Sequence, residues 1–177
     1  MKSTGIVRRI DDLGRIVIPK EIRRHCKIRE NDPMEIYVDK DGTVILKKYS
    51  PVKELGEFAK QYADALYEAI GHAVLITDCD NVIAVAGAPM RLFLNKEIGQ
   101  TTDSVIDSKE SVIVDKPDIV ITEVALATVG AFAPIIMGQT GIGAVVIFSK
   151  NPETKMGDME IKLAQTAAGF LAKQMTV

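Results

Sequence analysis

The run RRIDDLGRIVIPKEIRR, residues 8–24, decides how the start of the chain folds. It reads as an extended segment, a turn carrying Gly14, a second extended segment through Ile16-Val17-Ile18, and a helix opened by Pro19. Proline suits a helix start because its φ is already helical and the donor it lacks has no partner there. Apolar side chains on successive positions put both faces of a strand in need of cover. In the helix, Ile22 and Cys26 stand four apart and share a face with Ile18. Lys20, Arg23, Arg24 and Lys27 gather on the other face. Like charges so crowded repel by roughly 0.2–0.5 kcal/mol per pair. DNA phosphates would offset that through counterion release.

Downstream, residues 33–39 and 43–47 read as strands, and Asp41-Gly42 between them is a hairpin signal because Gly supplies positive φ. Ser50-Pro51 follows as a helix start, with Ser50 the cap and Pro51 the first helical residue. The chain is therefore expected to divide into 1–50 and 51–177. Charge divides at the same place. Residues 1–50 hold 12 Lys and Arg against 8 Asp and Glu, a net of +4; residues 51–177 hold 10 against 16, a net of −6. Within 1–29 the balance is 9 against 3, or +6. A basic head on an acidic body points to a polyanionic partner for the head.

In the second part, Leu55, Phe58, Ala59, Tyr62, Ala63, Leu66 and Ile70 recur at helical spacing, so 52–70 reads as one linking helix stopped by Gly71. Strands are expected over 73–78 and 82–87, around a turn at Cys79-Asp80-Asn81. Further strands are expected over 130–136 and 143–148, and a helix over 157–175. Between them, 103–110 reads as a short helix and 119–124 as a strand. Antiparallel strands with helices before and after make an α+β pattern.

Several function classes find no support. Cys26 and Cys79 form no disulfide framework and read as reduced thiols. Residues 51–177 offer Cys79 no resolving cysteine. His25 and His72 lack neighbouring ligands, so no metal and no cofactor is expected. Gly141-Ile142-Gly143 lacks the third glycine of a nucleotide loop and is followed by a strand, so it reads as a hairpin turn. No activated nucleophile is evident, and no enzyme is expected. The basic start runs into alternating residues rather than the core of a signal peptide, and no apolar run spans a membrane. A cytoplasmic protein is expected.

A domain of 50 residues buries only about 60% of its unfolded surface and is marginal without a metal or disulfide. One copy of 1–50 has too little chain to cover both faces of its strands. Two copies with exchanged strands would cover them, so an intertwined homodimer is expected.

These residues carry a resemblance. The run from Ser3 through Pro19, with Glu21-Ile22-Arg23-Arg24 and on to Leu46-Lys47-Lys48-Tyr49, resembles the AbrB-type transition-state regulators. That resemblance implies a swapped-hairpin β-barrel formed by an intertwined dimer on double-stranded DNA. It carries the family's DNA-contacting arginines over to Arg8, Arg15, Arg23 and Arg24, with Arg9 as an added contact. The rest resembles the stage V sporulation protein T branch, in which a GAF-like domain follows the same head. The likeness lies in Tyr49-Ser50-Pro51, 71–76, 141–150 and 167–172. It implies a nucleoid-associated activator and repressor of spore-development genes. The body would serve oligomerisation, with small-molecule sensing left open and ligand-binding residues unassigned.

Met159, Leu163, Ala167, Phe170 and Leu171 share one side of the last helix, and small residues at 167–169 would let a second helix approach. These residues suggest a homotetramer through the bodies, and the resemblance to the sporulation branch, where helices flanking the body meet across subunits, decides the expectation in its favour. The plainer alternative is that both helices cover the sheet within one chain. An antitoxin with the same head is the rival function, but an antitoxin tail is short and flexible, whereas residues 51–177 have the periodicity of a packed domain.

A fragment of residues 1–50 should therefore fold only as a dimer. Its melting temperature should rise with protein concentration; a concentration-independent melt from a sedimenting monomer would refute strand exchange.

Overall fold

The computed structural model describes residues 4–121 and 127–175. The chain separates into two compact units, Met1–Tyr49 and Ser50–Val177.

The first unit holds a helix, α1 (Lys20–His25), and a hairpin of β1 (Met34–Val38) and β2 (Val44–Lys48). The hairpin pairs Met34 with Lys48 through Val38 with Val44. Gly42 takes φ 76° at its turn, as the Asp41-Gly42 signal anticipates. Pro19 stands at the helix N-cap with φ −58°, one residue earlier than a first helical position. The extended segments on either side of Gly14 are not strands within one chain. Asp11 N–H donates to Arg15 O at 3.0 Å, closing the turn, and the flanks make no ladder. Among described residues of this unit none is buried, and Val7 is 84% exposed.

The second unit is a five-stranded antiparallel sheet in the order β4-β3-β7-β6-β5. Its strands are β3 (Ala73–Asp78), β4 (Val82–Ala86), β5 (Val112–Asp115), β6 (Val129–Met137) and β7 (Thr140–Ser149). β3, β6 and β7 are apolar at nearly every position because both faces of the sheet are covered. Val74, Ile76, Ala133, Ile135, Val145 and Ile147 face one core; Leu75, Phe132, Ala144, Val146 and Phe148 face the other. The first face carries α2 (Pro51–Glu54), α3 (Gly56–Ile70) and α6 (Asp158–Gln174). The second carries α4 (Met90–Phe93) and α5 (Gln100–Ser108).

The expected single helix over 52–70 is two helices, broken at Leu55. It is no free linker: Val52, Ala59 and Ala63 are fully buried against the sheet. Ser50 caps α2 as expected, its Oγ accepting from Lys53 N–H at 3.2 Å, and Gly71 ends α3 at φ 70°. That hydroxyl also donates to Asp78 Oδ2 at 2.9 Å. Ala164, Ala167, Ala168 and Leu171 of α6 are buried on the sheet of their own chain, so they are not open to a second helix.

In the middle of the chain the expected helix over 103–110 lies at Gln100–Ser108. The strand lies at Val112–Asp115 on the sheet edge, paired with Val129 through Phe132, rather than at 119–124. Val120 makes a lone bridge with Ile98, and residues 122–124 fall outside the described residues.

Gly141 and Gly143 are likewise not in a turn. Both lie in β7 opposite an irregularity in β6, pairing with Ile136 and Ile135. Glycine is needed there for space: a Cβ at Gly143 would stand 2.1 Å from Thr77 O, and one at Gly141 2.3 Å from Ile106 O. Gly143→Ala should therefore cost about 1–3 kcal/mol, because backbone must move to admit the methyl. Gly169→Ala, on α6 where a Cβ meets nothing within 4 Å, should gain about 0.5–1 kcal/mol from helix propensity. Chemical denaturation of the two variants should show opposite signs.

Candidate nucleic-acid interface

The basic surface of the first unit is built on a turn and a short helix. In the turn, Asp11 does most of the folding. Its Oδ1 accepts from Leu13 N–H at 3.1 Å and Arg15 N–H at 2.7 Å. Gly14 N–H donates to Asp11 O at 3.0 Å, with Gly14 at φ 76°. The other oxygen, Oδ2, accepts from Arg15 Nε at 2.8 Å in an ion pair. The Arg15 backbone N–H and then its guanidinium hold the Asp11 carboxyl below the usual carboxylate value, against an opposing effect of burial, with the Leu13 N–H contributing less. Arg15 keeps 69% of its side chain exposed.

Arg8 and Arg9 lie in the extended segment before this turn, both exposed. Arg8 Nη1 donates to Val7 O at 3.1 Å. Arg23 and Arg24 occupy the last turn of α1 with His25, where the helix dipole favours positive charge, and Glu21 occupies the first. Both arginines are exposed, while Ile22 beneath them is half-buried. Among the described residues, Arg15 is the one member of the five arginines held in an ion pair. The structure thus places all five exposed on the surface of one unit, with Arg8 also on the lining of its apolar groove.

Sequence reasoning passed over two residues here. Asp11 was readable as a turn residue, but nothing local signals that its second oxygen takes Arg15. Lys48 joins Asp32 at 3.3 Å and donates to Lys27 O at 3.3 Å, tying β2 to the segment after α1. The turn of the β hairpin also repeats the Asp11 turn in detail. Asp39 Oδ1 accepts from Asp41 N–H at 3.0 Å and Thr43 N–H at 2.8 Å, and Asp39 N–H donates to Thr43 O at 3.1 Å.

Seven isoleucines, leucines and methionines of this unit line an apolar groove of about 310 Å³, Ile6, Ile16, Ile18, Ile22, Ile28, Met34 and Leu46, with Arg8 and Lys48 also on its lining. The second unit has a different concavity of about 530 Å³ between α5 and β5. It is lined by hydroxyls, an amide and acids, among them Thr101, Ser104, Ser108, Glu110, Gln100 and Asp118. Asp118 Oδ2 accepts from Gln100 N–H at 3.0 Å, and Thr101 Oγ1 accepts from Asp118 N–H at 2.9 Å, so the rim is ordered. Cys79 is a half-buried thiol donating to Gly141 O at 3.5 Å. Among the described residues no group of three His, Cys, Asp or Glu is placed to hold a metal, and no helix is long and apolar enough to cross a membrane.

Comparison with known proteins agrees with this division. Residues 54–176 match the family described as stage V sporulation protein T C-terminal, transcription factor. Residues 7–54 match the family described as antidote-toxin recognition MazE, bacterial antitoxin. Over 181 residues, covering 99% of both chains, the protein is 55% identical to stage V sporulation protein T of Bacillus subtilis. Its first part is 65% identical over 51 residues to the transition state regulatory protein AbrB of the same species, covering 29% of this chain and 52% of AbrB. The fold of the second unit resembles the GAF domain of an Acinetobacter phosphoenolpyruvate-protein phosphotransferase, with a TM-score of 0.54 and 14% identity, covering 73% of this chain and 84% of that one. An AbrB-like head before a GAF-like body, matched end to end by a sporulation regulator, fixes the kinship: the chain belongs to the stage V sporulation protein T family of transcription factors.

Proposed function

We propose that this transcription regulator grips double-stranded DNA through Arg8, Arg9, Arg15, Arg23 and Arg24, presented by two heads that exchange their N-terminal segments. One observation carries the reading: the head buries none of its described side chains. Val7, Ile10, Leu13, Ile16 and Val17 are 53–84% exposed, and Ile36, Val38 and Val44 are 61–69% exposed. Apolar surface on that scale asks for a partner. A second head supplies it, because its own extended segment is apolar on both faces and lacks a ladder. The groove lined by Ile16, Ile22 and Leu46 is the seat for it. Pairing doubles the basic surface around a two-fold axis, which suits a polyanion with its own dyads.

The body, in this reading, joins two such dimers into a tetramer and holds no catalytic activity. Phe58 and Tyr62 both stack on Phe170, with ring centroids 5.8 and 5.2 Å apart. Phe58, Tyr67, Phe170 and Met159 keep 36–61% of their surface exposed on α3 and α6. This aromatic stripe, rather than the buried alanines, is the surface for a second body. Linked heads raise avidity by roughly 10²–10⁴ where operator spacing fits. A small effector in the α5–β5 concavity would act by changing that linkage, and both activation and repression of spore-development genes follow from where the paired heads sit. An antitoxin role fits the head alone and leaves a packed domain of over a hundred residues without a task.

Replacing Arg8, Arg15, Arg23 or Arg24 by Ala should weaken DNA binding, with the melting temperature nearly constant for Arg15, Arg23 and Arg24 and lowered for Arg8, which lines the groove. Each lost phosphate contact should reduce the slope of log affinity against log salt by about one. Four variants with wild-type affinity at moderate salt would sink the assignment. Separately, a Met159→Glu/Phe170→Glu double variant should scatter light as a dimer at micromolar concentration, where the unmodified chain is a tetramer. A wild-type chain that is already dimeric removes the tetramer.

A further inference from the structure

We propose that Asp11 is a positioning residue for DNA recognition, ordering the Arg15 guanidinium before DNA arrives and thereby sharpening sequence selectivity. The inference rests on the reading above that Arg15 touches DNA. Its support comes from comparing two turns of the same unit that share one geometry.

In the first turn Asp11 N–H donates to Arg15 O and in the second Asp39 N–H donates to Thr43 O, at 3.0 and 3.1 Å. Gly14 and Gly42 both take φ 76° and donate to the aspartate carbonyl, again at 3.0 and 3.1 Å. The Oδ1 atoms of Asp11 and Asp39 each accept two backbone N–H groups. Closing this turn therefore needs one carboxylate oxygen. At Asp11 the other oxygen has a separate occupation, accepting from Arg15 Nε at 2.8 Å. In the second turn the residue at that position is Thr43, which has no guanidinium to hold.

The choice of Nε matters. A guanidinium has five donors in a fixed fork, and engaging Nε leaves the edge formed by the two terminal nitrogens. That edge makes the paired bonds that suit a phosphate or the O6 and N7 atoms of guanine. A long side chain left loose would lose rotamer freedom on binding, and Asp11 removes part of that loss in advance. The carboxylate acts a second way. Its charge lies beside the contact, where it repels any phosphate that Arg15 does not neutralise, so mismatched DNA is penalised more than matched DNA. The lowered Asp11 carboxyl keeps this charge present throughout the neutral range.

The test uses the full chain and two duplexes: one enriched by the wild-type protein from a random-sequence pool, and one of the same composition with its sequence shuffled. Asp11→Asn keeps Oδ1 for the turn but replaces Oδ2 by an amino group that cannot accept from Nε. It should lower the ratio of selected to shuffled affinity about threefold to tenfold. Binding to the shuffled duplex should hold steady or strengthen, and the melting temperature should not move. Asp39→Asn should leave the ratio at its wild-type value. In an Arg15→Ala background, Asp11→Asn should change the ratio no further. Asp11→Ser, which also keeps a single acceptor, replaces Asp11→Asn if the amide disturbs the turn. An unchanged ratio in the Asp11 variants, while Arg15→Ala weakens binding, overturns the inference and spares the contact. So does a drop that persists without Arg15, or an equal drop in Asp39→Asn. If Arg15→Ala itself binds like wild type, the assignment of Arg15 as a contact falls first, and the inference falls with it.

Discussion

Surface-to-volume scaling acts unequally on the two units of this chain. With 49 residues, the first has more apolar side chains than it can enclose: among its described residues none is buried, its valines stay exposed, and Ile18, Ile22, Ile28 and Ile45 are only half-buried. The second has 128 residues, enough to wrap a sheet on both faces and to bury Phe93, Phe132 and Phe148 completely. With the heads paired as proposed, stability in the first unit would be bound up with association, and folding and assembly of the basic surface would be one event. The basic residues on the turn and the helix end, Arg15, Arg23 and Arg24, stay off the apolar groove of this unit, whereas Arg8 lines it.

The body solves its packing by dividing its sheet by size. Toward α3 and α6 the sheet and helices meet largely through alanines: Ala59, Ala63, Ala84, Ala86, Ala131, Ala133, Ala164, Ala167 and Ala168. Toward α5 the sheet presents aromatic rings, Phe132 and Phe148, with Phe93 tilted on Phe148 at 5.3 Å. Small side chains allow helices to lie close on the first face, while Phe58, Tyr67 and Phe170 remain on its outer side and Tyr62 packs partly against the core. The exposed aromatic stripe is thus a by-product of close internal packing as much as a feature of the surface.

How much of this was legible in the sequence depended on how local the deciding chemistry was. Asp41-Gly42, the Ser50 cap and the Gly71 stop are settled within four or five residues, and the structure has them where the sequence puts them. The strand at 112–115 was missed because its partner begins at Val129, and a short edge strand shows little periodicity of its own. The glycines of β7 were misplaced in a turn because sequence cannot show that Thr77 O and Ile106 O lie within reach of their Cα atoms. Residues on either side of Gly14 have the pattern of strands but no ladder within one chain, and in the proposed dimer their pairing would come from the second head. That the five arginines lie exposed on the first unit was legible by type and position. The tie between Arg15 and Asp11 was not, because only the folded turn brings the second carboxylate oxygen to Nε.

The two equivalent turns have a consequence for how such a regulator changes over time. Closure draws on the aspartate, the glycine and the backbone of the last residue, so the side chain at that last position is left out of the folding contract. Arg15 fills it in one turn and Thr43 in the other, on the same hydrogen bonds. Mutation can therefore explore that position while the scaffold stays intact, and, where Arg15 meets DNA as proposed, the sites bound could drift through a lineage without the protein first having to survive a loss of structure.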